Sequence, residues 1–256
     1  MGEAKLTEEL LPKVNIAIIG GSYAGLSLAN TLHINSVSYT IFDRRSLPYN
    51  HVMGGSGFNV PSLLVIQDRL QLKRSRNTEL HNITRKNVID LLLERGMTNM
   101  ISESNVVEIN KEASSFYITT ETKSNDKTDD TSKITTKHGP YQILIGADGV
   151  LSTCRKSSFK GMFLIGDARW VNDRWFDLGL RRIDRGADIA MIDGLQLGEA
   201  ICNSAKRCTD MRQLIHSVNN KTDNVFCARE IYYKKMMRQS ALVVLLFGVL
   251  LKYLLK

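Results

Sequence analysis

The run Gly20-Gly21-Ser22-Tyr23-Ala24-Gly25 has the composition of a phosphate cradle. Glycines allow a tight turn and let backbone amides approach a pyrophosphate, and a helix that opens at the turn adds partial positive charge. Asp43 lies 23 residues after Gly20. At that spacing an acidic side chain closing a second strand would accept hydrogen bonds from an adenosine ribose. Arg44 adjoins this acid and joins the same candidate set. Ser22 stands where the G-x-G-x-x-G pattern carries its second glycine, so the pattern is incomplete and its context must carry the weight.

That context is favourable. Val14-Asn-Ile-Ala-Ile-Ile19 is a β-branched run ending in glycines, which predicts a buried parallel strand. Residues 24–33 predict a helix, and Tyr39–Phe42 a second strand closed by Asp43, completing a βαβ unit. Residues 84–95 carry Val88, Ile89, Leu92 and Leu93 at helical spacing, with Thr84 as an N-cap. Val106–Ile109 and Ser115–Thr120 predict strands, with a returning strand at 134–136 and a polar hairpin tip at 123–133 between them. Tyr141–Ile145 and Met162–Ile165 predict two further buried strands, and each runs into a glycine and an aspartate. Gly186–Cys202 predicts a long helix on which Ala190, Gly194 and Gly198 form a small-residue face suited to close packing.

Two more motifs follow those last strands: Gly146-Ala147-Asp148-Gly149-Val150, with Ser152 and Arg155 beyond it, and Gly166-Asp167-Ala168. Each alone is compatible with an ordinary strand-terminal turn. Taken in this order after a βαβ fingerprint, the set resembles the flavoprotein monooxygenases of the para-hydroxybenzoate hydroxylase type, which carry an N-terminal dinucleotide fingerprint, a middle DG motif and a late GD motif. The resemblance covers residues 14 to about 205. It implies FAD as cofactor, NAD(P)H as reductant and a small aromatic or related organic molecule as substrate. It also implies that Gly20, Gly21, Ser22, Ala24 and Gly25 surround the pyrophosphate and that Asp43 meets the adenosine ribose. Arg85 would reach the FAD, and Asp148 would lie near the channel shared by FAD and the nicotinamide nucleotide. Gly166 and Asp167 would meet the ribitol chain, and the helix start at Gly186–Ala187 would offer amides to an anionic reduced flavin.

The expected fold is therefore α/β: a Rossmann-like FAD/NAD(P)-binding domain over 14–205 with a small β-hairpin layer. An extension over 1–13 precedes it, and a C-terminal helical segment over 206–256 follows. The departures from the family are equally specific. The family inserts a substrate-binding sheet between the DG and GD motifs, whereas only ten residues, 156–165, separate Arg155 from Gly166 here. A domain of roughly 100 residues does not fit in that space. Arg169-Trp170 stand where His and Pro are usual, Asp184-Arg185 where Gly-Gln is usual, and Leu151 where an Arg is usual. Without the sheet one flavin face loses its cover, and oxygenation needs a site closed to water. The alternative to a monooxygenase is thus a non-catalytic FAD-binding remnant that acts as an interaction protein.

Composition closes off other classes. The chain has 256 residues, 43% hydrophobic and 23% charged, which excludes a disordered or fibrous chain. The charge of +8 is uneven: residues 203–256 hold ten Lys/Arg against three Asp/Glu, while residues 1–202 hold 24 against 23. No zinc motif and no aromatic-interleaved basic stripe accompany it, so nucleic acid is not an expected partner. Four cysteines without a C-x-x-C pair and five scattered histidines predict reduced thiols and no metal site. The charged N-terminus has no apolar h-region, so cytoplasmic location is expected. The run Ala241–Leu251 holds eleven apolar residues beside Lys234, Lys235 and Arg238. A helix over 240–255 would span roughly 24 Å at 1.5 Å per residue, short of a bilayer core of about 30 Å. It predicts either a core helix or a peripheral or tail-anchored attachment to a membrane.

Overall fold

The computed structural model describes residues 14–46, 68–70, 85–94, 99–123, 133–149, 151–157, 159–170 and 186–223. The tail run Ala241–Leu251 and the hairpin tip at 124–132 lie outside the described residues. Among those described, no helix is long and apolar enough to cross a membrane.

The fold is α/β in three layers. The central sheet is parallel, with strands β1 (Asn15–Ile19), β2 (Ser38–Phe42), β3 (Met100–Ile101), β7 (Ile143–Gly146) and β8 (Met162–Leu164) in the order β3-β2-β1-β7-β8. Register pairs Ile16 of β1 with Tyr39 on one side and Ile143 on the other. A second, antiparallel sheet is formed by β4 (Asn105–Glu112), β5 (Ser115–Lys123) and β6 (Lys133–Tyr141) in that order. The helices are α1 (Tyr23–Ile34), α2 (Arg85–Leu93), α3 (Asp167–Trp170), α4 (Gly186–Ala205) and α5 over 211–223.

The two faces of β1 show how the layers arise. Successive side chains of a strand point to opposite faces. Ile16 and Ile18 enter the core shared with the helices, where they meet Leu26, Leu28, Met191 and Leu197. Ala17 and Ile19 enter the core beneath the antiparallel sheet, with Val106, Ile109, Phe116 and Ile118. A strand apolar on both faces must be covered on both. Here helices cover one face and β4–β6 the other, so the expected hairpin layer is a full three-stranded sheet.

The small-residue face of α4 lies against α1. A Cβ on Gly194 would stand 3.0 Å from Leu28 N and closer still to the Ala24 carbonyl, and one on Gly198 would stand 2.6 Å from the Thr31 side chain. Asn30 fastens α1 to α2: its Nδ2 donates to the Leu92 carbonyl at 2.9 Å. Beyond residue 205 the same core takes in Leu214 and Val218 of α5. Ser204 links to Ser217 at 2.9 Å and accepts a bond from Lys221 Nζ at 2.9 Å.

Candidate functional site

The three motifs meet at the carboxyl ends of β1, β7 and β8. In an open α/β sheet that is where ligands bind. Gly20 ends β1 with φ +107°, a conformation that L side chains rarely adopt. A Cβ there would lie within 3.0 Å of Ala147 C and O and Asp148 N, so this glycine is demanded by the approach of the middle motif. Gly25 answers to a different contact. A Cβ there would collide with the Gly20 carbonyl, so its absence lets α1 pack directly on the end of β1. Ser22 occupies the N-cap of α1 without a side-chain cap bond, and the first turn carries no acidic residue. The partial positive charge of this helix end is therefore not offset by a carboxylate in its first turn.

The middle motif is ordered by its own acid. Asp148 Oδ1 accepts from Ser152 Oγ at 2.5 Å, and Oδ2 accepts from Thr153 N at 2.6 Å and Cys154 N at 3.2 Å. The carboxylate thereby caps the short 3-10 turn Cys154–Lys156. Buried Cys154 is pushed well above the ordinary thiol range, first by burial and then by the Asp148 charge, which keeps it an unreactive thiol. Cys202 is likewise pushed up to about 11 by burial.

Arg155 ties this motif to the late one. Its Nε donates to the Ala168 carbonyl at 2.8 Å, and one Nη donates to the Asp167 carbonyl at 2.8 Å and to the Gly149 carbonyl at 3.4 Å. Gly166 adopts φ +59°; a Cβ there would sit 3.2 Å from Ala24 Cβ and 3.3 Å from Ala190 Cβ. Its amide donates to Asp193 Oδ2 at 3.2 Å. The late motif is thus wedged between α1 and α4, with Asp167 partly exposed at the start of α3.

Asp43 stands at the end of β2 beside the glycine turn, as the spacing predicts. Its Oδ2 accepts from Gly21 N at 2.5 Å. The carboxyl also holds Arg45: Oδ1 accepts from Arg45 N at 2.8 Å and Nε at 2.9 Å, and Oδ2 accepts from an Arg45 Nη at 2.7 Å. Burial pushes its pKa up, but the Arg45 guanidinium and the amide bonds outweigh burial and hold it below the usual carboxylate value.

Of the sequence candidates, Gly20, Gly21, Ser22, Ala24, Gly25, Asp148, Gly166 and Asp167 converge, with Asp43 bound to Gly21. Gly186 and Ala187 begin α4, as expected. Arg44 is exposed. Arg85 opens α2, but its side chain lies outside what is described. Sequence reasoning missed Arg45 and Asp193. The D-x-R spacing, which suits an Asx turn, was the signal for the first; an acid between apolar neighbours Ile192 and Leu195 and beside Gly194 of the small-residue face was the signal for the second. Among the described residues no group of three or more His, Cys, Asp or Glu could hold a metal ion.

The fold is that of a Rossmann-like α/β domain, with the three motifs gathered at one end of its parallel sheet. A candidate FAD-containing monooxygenase from Photorhabdus luminescens subsp. laumondii TTO1 shares this fold at a TM-score of 0.58 and 12% identity, covering 88% of this chain and 98% of that one. CabE, an aromatic hydroxylase from angucycline biosynthesis, is also similar, with a TM-score of 0.42, 16% identity and 57% of this chain covered. So is CmlS, a flavin-dependent halogenase, at 0.40, 16% and 56%. The chain spans 33% and 30% of the lengths of these two. No family model matches the sequence, and no curated protein matches it.

Proposed function

We propose that this chain binds FAD and serves as a flavin-dependent oxidoreductase of the monooxygenase type. NAD(P)H would be the reductant and a small organic molecule the substrate. The observation that carries the proposal is the meeting of the Gly20–Gly25 turn with two glycine-and-aspartate turns at one end of a parallel sheet, the latter two tied to each other by Arg155. The donor chemistry fits the cofactor. The α1 N-terminus suits a pyrophosphate, and Asp43, bonded to Gly21 at the glycine turn, would meet the adenosine ribose. Gly166–Asp167 and the start of α4 would meet the ribitol and flavin end of the cofactor. Bound FAD would supply hydride acceptance and oxygen reduction; the chain's residues hold and orient it.

The experiment is direct. Purified protein should be yellow, or should become so with added FAD and quench flavin fluorescence. A colourless protein that FAD cannot reconstitute rejects the proposal.

A second reading, uncoupled turnover in which reduced flavin returns its electrons to oxygen as hydrogen peroxide, is favoured by one observation. β8 follows the 3-10 turn at 154–156 almost at once and pairs directly with β7. No substrate-binding sheet intervenes between Arg155 and Gly166. An FAD-loaded protein that oxidises NADPH but releases hydrogen peroxide in place of hydroxylated product fits this reading. One-to-one coupling to an aromatic product rules it out. The basic, apolar segment around Ala241–Leu251 is proposed to attach to anionic membrane surfaces. Carbonate extraction of protein with and without Ala241–Lys256 tests this, and equal fractionation sinks it.

A further inference from the structure

The acid at the end of β2 stands where a ribose would be read, yet its acceptor capacity is already taken. An ionised carboxylate offers about four lone-pair sites. Asp43 receives four donors, from Gly21 N, Arg45 N, Arg45 Nε and an Arg45 Nη, at 2.5 to 2.9 Å. Asp43 is 3% exposed and the Arg45 side chain 28% exposed, so the carboxylate is the buried half of the pair and the guanidinium the half at the rim. The backbone on either side is pinned. The Asp43 carbonyl accepts from Ser104 N at 2.9 Å, and the Arg45 carbonyl accepts from Glu103 N at 3.0 Å. The Arg45 side chain is the more exposed half of the pair, and its departure would free the two acceptor positions that its Nε and Nη fill.

We propose that Arg45 is a specificity-determining latch of the dinucleotide site, one that competes with the ribose hydroxyls for Asp43. This rests on the dinucleotide-binding function proposed above. Binding of an adenosine ribose exchanges two guanidinium N–H bonds for ribose O–H bonds, one charge-assisted set for another, with little net gain. The wild-type site therefore draws its affinity from the diphosphate and is nearly blind to the 2′-hydroxyl. Removing the guanidinium restores hydroxyl recognition.

Isothermal titration of full-length protein with ADP and with 2′-deoxy-ADP tests this without any activity readout. Arg45→Ala is expected to bind ADP about tenfold more tightly than wild type, with 2′-deoxy-ADP little changed. Arg45→Lys guards against loss of fold: it keeps a positive charge beside the buried carboxylate but cannot reproduce the two-pronged contact, so it should gain an intermediate factor. A folded Arg45→Lys or Arg45→Ala whose ADP affinity is unchanged or weaker overturns the latch. So does a wild-type protein that already prefers ADP over 2′-deoxy-ADP by tenfold. Parallel titration with FAD separates the two proposals. FAD uptake with no Arg45 effect overturns the latch alone, whereas failure of wild type and both variants to bind either FAD or ADP overturns the latch and the flavin function together.

Discussion

The two faces of the central sheet are covered in opposite ways. Between β1, α1 and α4, backbone meets backbone: Gly20 under Ala147, Gly25 against the Gly20 carbonyl, Gly194 against the Ala24 carbonyl. On the other face β4–β6 lay down Val106, Ile109, Phe116 and Ile118 and keep a solvated outer surface of Glu, Lys and Thr. That outer surface is joined by exposed pairs such as Lys133–Glu121 and Lys137–Glu112, at 2.9 Å each. The first contact leaves no space for a methyl group; the second tolerates most changes on its outer side. Tolerance to substitution therefore falls toward the end of the sheet where the three motifs meet, and that is where precise placement serves a ligand.

The sharpest break in this contrast is at the helix–strand contact. Gly25→Ala puts a Cβ into the Gly20 carbonyl, which is backbone and cannot swing aside. A loss of about 3 kcal/mol in chemical denaturation is expected, with loss of FAD uptake. Full stability would mean that α1 does not pack as closely as the structure has it. Next in size is Arg155→Met. It strands the carbonyls of Asp167 and Ala168 and unties the middle motif from the late one. About 2 kcal/mol of stability should go, because each bond to a charged donor is worth more than a neutral one. FAD affinity should fall with it, and Arg155→Lys should recover only part.

How much of this was legible depended on whether a residue's partner was near in sequence or far. The strands β1, β2, β7 and β8 announce themselves as apolar runs because both their faces are buried. Ala190, Gly194 and Gly198 betrayed a packing face by their spacing alone. The strand order and the short β3 were not visible. Two residues, Met100 and Ile101, carry no periodicity, and only pairing with Ile41 and Phe42 makes them a strand. The same divide runs through the site. The positions of Gly20, Asp43, Asp148 and Gly166 could be inferred, but not what their side chains or missing side chains touch. Asp148 is spent on capping its own turn and Asp43 on Arg45. Motif spacing fixes where an acid sits; its hydrogen bonds depend on neighbours that the motif does not name.

Acid should expose the Asp43 linkage, a smaller effect. Its folded pKa lies below that of a free aspartate, about 3.9. Between the folded and unfolded values the unfolded chain binds more protons, so stability falls as pH falls. The contribution is present above about pH 4 and is lost below it. Urea midpoints of wild type should therefore drop more steeply from pH 5 to pH 3 than those of Asp43→Asn. Parallel slopes would mean that the carboxylate is not held by Arg45 in solution.

The least effect belongs to the outer face of β4–β6. Lys137 bridges to Glu112 at 2.9 Å, and its Nζ lies 4.4 Å from the Tyr117 ring centroid. Both ends of the ion pair are more than half exposed. Water screens such a pair, and holding two long side chains in one geometry costs entropy, so exposed bridges contribute about 0 to 1 kcal/mol. Lys137→Ala should cost less than about 0.5 kcal/mol and leave FAD uptake unchanged. A larger loss, persisting at high salt, would point to the Lys137 stem and the Tyr117 ring as packing elements. The outer sheet would then be a second region of close contact, and the contrast between the two faces would fail.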